Sequence, residues 1–228
     1  MSIQLEHVTV TLGDRDVIED LSLTLPEQGI VSFFGVSGSG KSTLLNLLAG
    51  LVSPRQGKIL GLEGRQVSYV FQEDRLLPWL TVGENVALVG AGEQQLDPQP
   101  YLELVGLGQR REDYPGSLSG GMRRRLAIAR ALAYGGDLLL LDEPFSGLDW
   151  SLRQHLMDKL GPMGREKLLI LVSHDSYECA YLSDEVRLVL PERMQVYETL
   201  KAPGDFSARQ QDPALVEALE REIRRLAK

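Results

Sequence analysis

Gly35-Val36-Ser37-Gly38-Ser39-Gly40-Lys41-Ser42-Thr43 is the stretch from which the rest of the chain is read. It fits the pattern G-x-x-x-x-G-K-[ST] and lies between two apolar runs of different character. Upstream, Gly29-Ile30-Val31-Ser32-Phe33-Phe34 lacks polar alternation and reads as a strand buried on both faces. Downstream, Leu44, Leu45, Leu47 and Leu48 fill one broad face of a helix that starts at Lys41 and ends before Gly50 and Pro54. Glycines between strand and helix let the backbone curl until successive N–H groups face one phosphate, and the helix N-terminus adds a favourable field. Gly35, Ser37, Gly38, Ser39, Gly40 and Thr43 are therefore candidate cradle residues. Lys41 is placed to reach the β- and γ-phosphates, and the Ser42 hydroxyl to ligate Mg²⁺. The motif implies a nucleoside triphosphate without naming the machine that uses it.

Reading outward, Ile3–Val10 and Leu21–Leu25 read as antiparallel strands around Gly13-Asp14-Arg15-Asp16. Short strands follow at Lys58–Leu60 and Val67–Phe71. From Glu73 to about Ala133, Pro, Gly and Gln punctuate helical segments such as Val82–Val89 and Tyr101–Val105, the mark of an inserted helical subdomain. Strands return at Leu138–Leu141, Leu168–Val172 and Val186–Leu190 with helical spacers, which argues for a parallel sheet flanked by helices. After Pro213, the residues Leu215, Leu219, Ile223 and Leu226 recur at helical spacing.

Leu138-Leu139-Leu140-Leu141-Asp142-Glu143-Pro144 delivers two acids at the carboxyl end of a buried strand, the edge where open parallel sheets bind ligands. Asp142 is a candidate Mg²⁺ ligand, and Glu143 a candidate general base or orienter for an attacking water.

The chain has 228 residues, 43% of them hydrophobic and 25% charged, a globular composition that excludes disordered, collagen-like and disulfide-scaffold classes. No run approaches the roughly 18 apolar residues needed to cross a bilayer, so direct membrane insertion is not expected. The N-terminus lacks a basic and apolar leader, and export is not expected either. Cys179 is the single cysteine, suits a reducing cytoplasm and reads as a small filler on a helix. A net charge of -8 argues against bulk attraction to nucleic acid or anionic lipid. On the same ground Arg123-Arg124-Arg125 reads as a solvated helix face.

Leu118-Ser119-Gly120-Gly121-Met122 precedes a helical run ending Ala129-Arg130-Ala131-Leu132. With the phosphate loop, Gln72, Asp142-Glu143, Ser146-Gly147-Leu148-Asp149 and His174 in this order, the chain resembles the ATP-binding subunits of ABC transporters. The resemblance implies an α/β P-loop NTPase core with an N-terminal antiparallel β-subdomain and an inserted helical subdomain. Residues 1–72 and 134–228 would form the core and residues 73–133 the insertion. It implies ATP and Mg²⁺ as cofactors, with Gln72 as the sensor of Mg²⁺ and the γ-phosphate and His174 on the γ-phosphate beside the water. Ser119, Gly120 and Gly121 would bind the ATP held by an opposite subunit, so a homodimer enclosing two ATP molecules is expected. Further partners are transmembrane permease subunits and, indirectly, a solute-binding protein, with the chain cytoplasmic and peripheral on the inner face of the cell membrane.

Phe71–Val86 resembles the nitrate, sulfonate and taurine branch of bacterial importers, with Leu76, Leu77 and Trp79 as a candidate apolar groove for a permease helix. Pro203–Lys228 is too short for an added regulatory domain. The rival reading is a soluble ABC ATPase acting on nucleic acid in repair or translation, but neither a coiled-coil insertion nor a second cassette is seen. A GTPase or small-molecule kinase leaves Leu118–Gly121 unexplained, and N-K-x-D is absent.

Two positions depart from the family pattern. Met122 stands where the family has Gln, removing an amide near the nucleotide, and Leu12 stands where the family places an aromatic against adenine. Leucine gives apolar contact without the extra stacking of roughly 0.5–1.5 kcal/mol. GTP is therefore expected to compete with ATP; a strong preference for ATP in a competition binding assay would overturn this expectation.

Overall fold

In the computed structural model, which describes residues 1–90, 96–191 and 194–227, the chain opens with two strands, β1 (Ile3–Leu12) and β2 (Arg15–Leu25). They pair antiparallel with Leu12 opposite Arg15, so the turn is only Gly13-Asp14. The second strand thus begins six residues before the expected Leu21, because Gly13 takes the left-handed conformation (φ 61°) that a two-residue turn needs. β3 (Gly29–Phe34) runs through the glycine loop into α1 (Lys41–Leu48). β4 (Gln56–Leu60) returns to the other side of β1, giving a three-stranded sheet in the order β2-β1-β4.

β5 (Val67–Val70) precedes α2 (Val82–Ala87), α3 (Gln99–Leu104) and α4 (Gly120–Tyr134). Then follow β6 (Leu138–Asp142), α5 (Trp150–Leu160), β7 (Leu168–Ser173), α6 (Ser176–Leu182) and β8 (Glu185–Val189). β9 (Val196–Lys201), α7 (Phe206–Gln211) and α8 (Pro213–Leu226) complete the described chain. The second sheet has the order β5-β6-β7-β3-β8-β9, parallel except for β9, which pairs antiparallel with β8. β9 has no counterpart in the sequence reading: it is an exposed edge strand whose polar residues give no buried-strand signal.

Successive residues of β6 and β7 point to opposite faces, and both faces are apolar. Leu138, Leu140, Leu168, Ile170 and Val172 meet α1 and the small sheet in one core. Leu139, Leu141, Leu169 and Leu171 meet the helices from α2 to α8 in the other. This double burial is what the unbroken leucine runs encode. α8 buries Val216, Leu219 and Ile223 against the second core, in keeping with its expected amphipathic face. Cys179 is wholly buried on α6, and burial pushes its thiol pKa up, away from the reactive range.

Every parallel strand ends at the same edge. β3 delivers Gly35, β5 leads to Gln72, β6 ends in Asp142 with Glu143 next, and β7 is followed by His174. Ile170 lies fully buried at the centre of β7. Ile170→Ala is expected to destabilise the protein by about 2–5 kcal/mol through the cavity it leaves, read as a lowered urea midpoint with an unchanged slope.

Candidate active site

The glycine loop wraps its own lysine. Lys41 Nζ donates to Gly35 O at 2.9 Å, Val36 O at 2.7 Å and Ser39 Oγ at 3.1 Å, and only 5% of Lys41 is exposed. Burial lowers the Lys41 pKa, and the nearby charges of Glu143 and Asp142 act in the opposite direction. Gly40, the N-cap of α1, has φ 89°, and a Cβ there would lie 2.9 Å from Met194 Cβ and 3.1 Å from Val17 O. Neither the conformation nor the space admits a side chain.

Val17, Ser37, Gly38, Gly40, Lys41, Ser42, Thr43, Gln72, Asp142, Glu143 and Val172 line one cavity of about 280 Å³. The loop, the glutamine after β5 and the acid pair after β6 thus share a single space, as the sequence predicts. Asp142 is 3% exposed. Burial raises its pKa, and a hydrogen bond from Ser42 pulls it back down. Its Oδ1 is buried without a hydrogen-bonding partner among the described residues, and such an oxygen calls for a hard cation or a proton. Among the described residues no three His, Cys, Asp or Glu side chains form a metal cluster. That donor set fits Mg²⁺, which binds through one or two protein oxygens plus phosphates and water.

Glu143 is a non-glycine residue at φ 49°, a left-handed conformation that costs about 1–3 kcal/mol. Its N–H donates to Val172 O at 2.9 Å, and its Oε1 lies 2.8 Å from His174 Nδ1. The carboxylate hydrogen bond and charge raise the His174 pKa. His174 lies beside Gly35 and Val36 in a neighbouring apolar cavity of about 650 Å³. Ser119 caps α4, accepting from Met122 N at 3.3 Å, and is exposed with Gly120. Ser119, Gly120 and Gly121 line neither of these cavities.

The arginine run is a correction to the sequence reading. Arg124 is 4% exposed, not solvated. Consecutive helical residues are rotated by about 100°, so Arg124 shares the buried face of Ala127, Ile128 and Ala131 while its neighbours point elsewhere. Its guanidinium donates to main-chain carbonyls of Phe71, Gln72, Asp142, Glu143 and Pro144. Arg123 and Arg125 likewise donate to Leu118 O and to Val105 and Gly106 O. The i, i+3, i+4, i+7 spacing to the apolar Ala127, Ile128 and Ala131 is the available signal for Arg124.

Residues 18–146 match the family model described as ABC transporter. The chain belongs to the ABC transporter family. It is a P-loop ATPase of that family, with the mixed α/β fold of an ATP-binding cassette. This cassette is 42% identical over 207 residues to "Aliphatic sulfonates import ATP-binding protein SsuB 1" of Pseudomonas savastanoi pv. phaseolicola, covering 87% of this chain and 85% of that protein. It is 40% identical over 191 residues to "Bicarbonate transport ATP-binding protein CmpC" of Synechocystis sp., covering 76% of this chain and 28% of that longer protein. Among solved structures, it is similar to the dimeric post-hydrolysis state of the ATP-binding cassette MJ0796 bound to ADP and Pi. The TM-score is 0.80 at 27% identity, covering 89% of this chain and 99% of that one.

Because Glu143 raises the His174 pKa, the pair stabilises the folded cassette below the ordinary imidazole value, and this contribution fades as pH rises through the folded-state value. NMR titration of the nucleotide-free cassette is expected to place the His174 midpoint above about 6.5, with Glu143→Gln moving it down. A midpoint at or below that value in the parent protein would contradict the pairing.

Proposed function

We propose that this cassette is the ATP-hydrolysing subunit of a bacterial importer for a small solute such as a sulfonate, nitrate or taurine. It would work as a dimer bound to transmembrane permease subunits. The observation that carries the reading is the single cavity shared by Lys41, Ser42, Gln72, Asp142 and Glu143. The likeness to the SsuB and CmpC proteins supports import of a small anionic solute. We take residues 73–133 as the helical subdomain and the remainder as the core, a division supported by α2–α4 falling between adjacent strands β5 and β6.

ATP binds with its phosphates along Gly35–Thr43, where the backbone N–H groups and the α1 N-terminus favour anions. Lys41 exchanges its loop carbonyls for phosphate oxygens. Ser42, Asp142 and Gln72 are the residues that would hold Mg²⁺, which draws negative charge from the phosphoryl oxygens when bound. Glu143 takes a proton from a water as its oxygen bonds to the γ-phosphorus and the bond to the β,γ-bridging oxygen breaks, leaving ADP and phosphate. His174 holds the carboxylate through Nδ1 and keeps its second ring nitrogen for the γ-phosphate. Ser119 and Gly120, exposed on one subunit, close with Gly121 over the ATP of the other. Their position outside the cavity of their own chain supports this division of labour.

Among the described residues no helix is long and apolar enough to cross a membrane. Attachment to the inner membrane face would therefore run through permease subunits. A cavity of about 420 Å³ lined by Leu51, Phe71, Leu77, Leu88, Val89 and Tyr134, among others, offers an apolar groove for a permease helix. Of the three residues the sequence suggested for that groove, Leu77 lines it. Leu76 packs against the helical core instead, and Trp79 is exposed outside the lining.

Glu143→Gln is expected to bind ATP with near-parental affinity and to lose about 10²–10⁴-fold in hydrolysis. It should also accumulate an ATP-dependent dimer in size-exclusion chromatography. Turnover close to that of the parent protein would refute the role given to Glu143.

A further inference from the structure

Arg124 presents its whole guanidinium to backbone. Nε donates to Pro144 O at 3.1 Å, and Nη2 to Asp142 O and Glu143 O, each at 2.6 Å. Nη1 donates to Phe71 O and, at 3.3 Å, to Gln72 O. The carboxylate of Asp74 lies 3.6 Å from Nη1. Five carbonyls from two chain segments therefore converge on one buried cation. Phe71, Gln72, Glu143 and Pro144 have just left the sheet and Asp142 is the last residue of β6, so these carbonyls lie at the sheet's edge, where a buried acceptor needs a donor inside the protein. A planar fork with five N–H groups can span them, whereas an ammonium acts from one point. Arg130, further along α4, donates to Arg75 O at 2.8 Å and Asp74 O at 3.1 Å, so the same helix grips the chain after β5 twice.

The arrangement is specific to Glu143. Its left-handed backbone persists only while its surroundings over-determine it. Val172 O holds the N–H side, His174 the carboxylate, and Arg124 the carbonyl side. The third of these restraints comes from the helix that Ser119 caps.

We propose that Arg124 is a positioning residue that sets Glu143 and Gln72 in register with α4, so that displacement of Ser119–Gly121 is passed to the carboxylate that activates water. This rests on the roles proposed above for Glu143 and for the α4 N-terminus. ATP binding by the loop does not pass through Arg124; water activation does. Loss of the fork therefore acts on kcat and leaves nucleotide affinity and KM nearly unchanged.

The test measures basal ATP hydrolysis and ATP binding of the full chain for Arg124→Met and Arg124→Lys, each alone and combined with Glu143→Gln. Arg124→Lys keeps the charge and the stem, so the series contains a variant matched to the buried site. Both single variants are expected to lower kcat by about ten- to a hundredfold, a barrier higher by about 1.4–2.7 kcal/mol through misplacement of Glu143, with KM and ATP affinity within about threefold. In the Glu143→Gln background the Arg124 changes should add no further loss, because they act through the same group. A parental kcat in either single variant, or losses that multiply in the double variants, would overturn the role of Arg124. Near-normal turnover of Glu143→Gln alone would instead remove the underlying reading of the site.

Discussion

Two-sided burial of β6, β7 and β3 is the constraint on which the rest of the structure hangs. Their side chains alternate between two cores, so every residue from Leu138 to Leu141 and from Leu168 to Val172 is apolar. Parallel strands must be joined by crossovers, and these supply the helices that cover both faces. Strand direction then sends Gly35, Gln72, Asp142 and His174 to one edge, although 139 positions separate the first from the last (174 − 35). The site is a product of sheet topology before it is a product of any single side chain.

At that edge the protein buries charge of both signs. Lys41, Arg124 and Asp142 are each 5% exposed or less. An isolated ion so deeply placed would be expelled or neutralised. Here each cation is wrapped by carbonyl oxygens and faces carboxylates. Burial lowers the pKa of both Lys41 and Arg124, while Asp142 and Glu143 push the other way. Lys41 satisfies carbonyls of the glycine loop, Arg124 satisfies carbonyls at the strand ends, and one oxygen of Asp142 has no hydrogen-bonding partner among the described residues. The polar network thus combines a structural frame with one deliberately incomplete valence.

Much of the site was legible because its signals are local. Gly40 needs a left-handed backbone within a nine-residue motif, and four leucines before Asp142 announce a strand end. β9 was not legible, since an exposed edge strand needs no apolar alternation. The burial of Arg124 is hidden because three adjacent arginines in an acidic chain look solvated, and only helical phase separates the buried one from its neighbours. Leu76, Leu77 and Trp79 are close in sequence yet face different surroundings, as an irregular segment permits.

By itself the sequence determined the phosphate loop, the acid pair, the strand–helix alternation and the family, because each depends on residue type at short fixed spacing. Only tertiary structure decided that Arg124 joins Gln72 to Glu143, that His174 meets Glu143, and that Ser119–Gly121 lies outside its own chain's cavity. Those facts depend on the relative placement of strand ends and one helix, Glu143 lying 19 positions from Arg124 and 31 from His174, and Gln72 lying 52 from Arg124, and no local spacing rule encodes that placement.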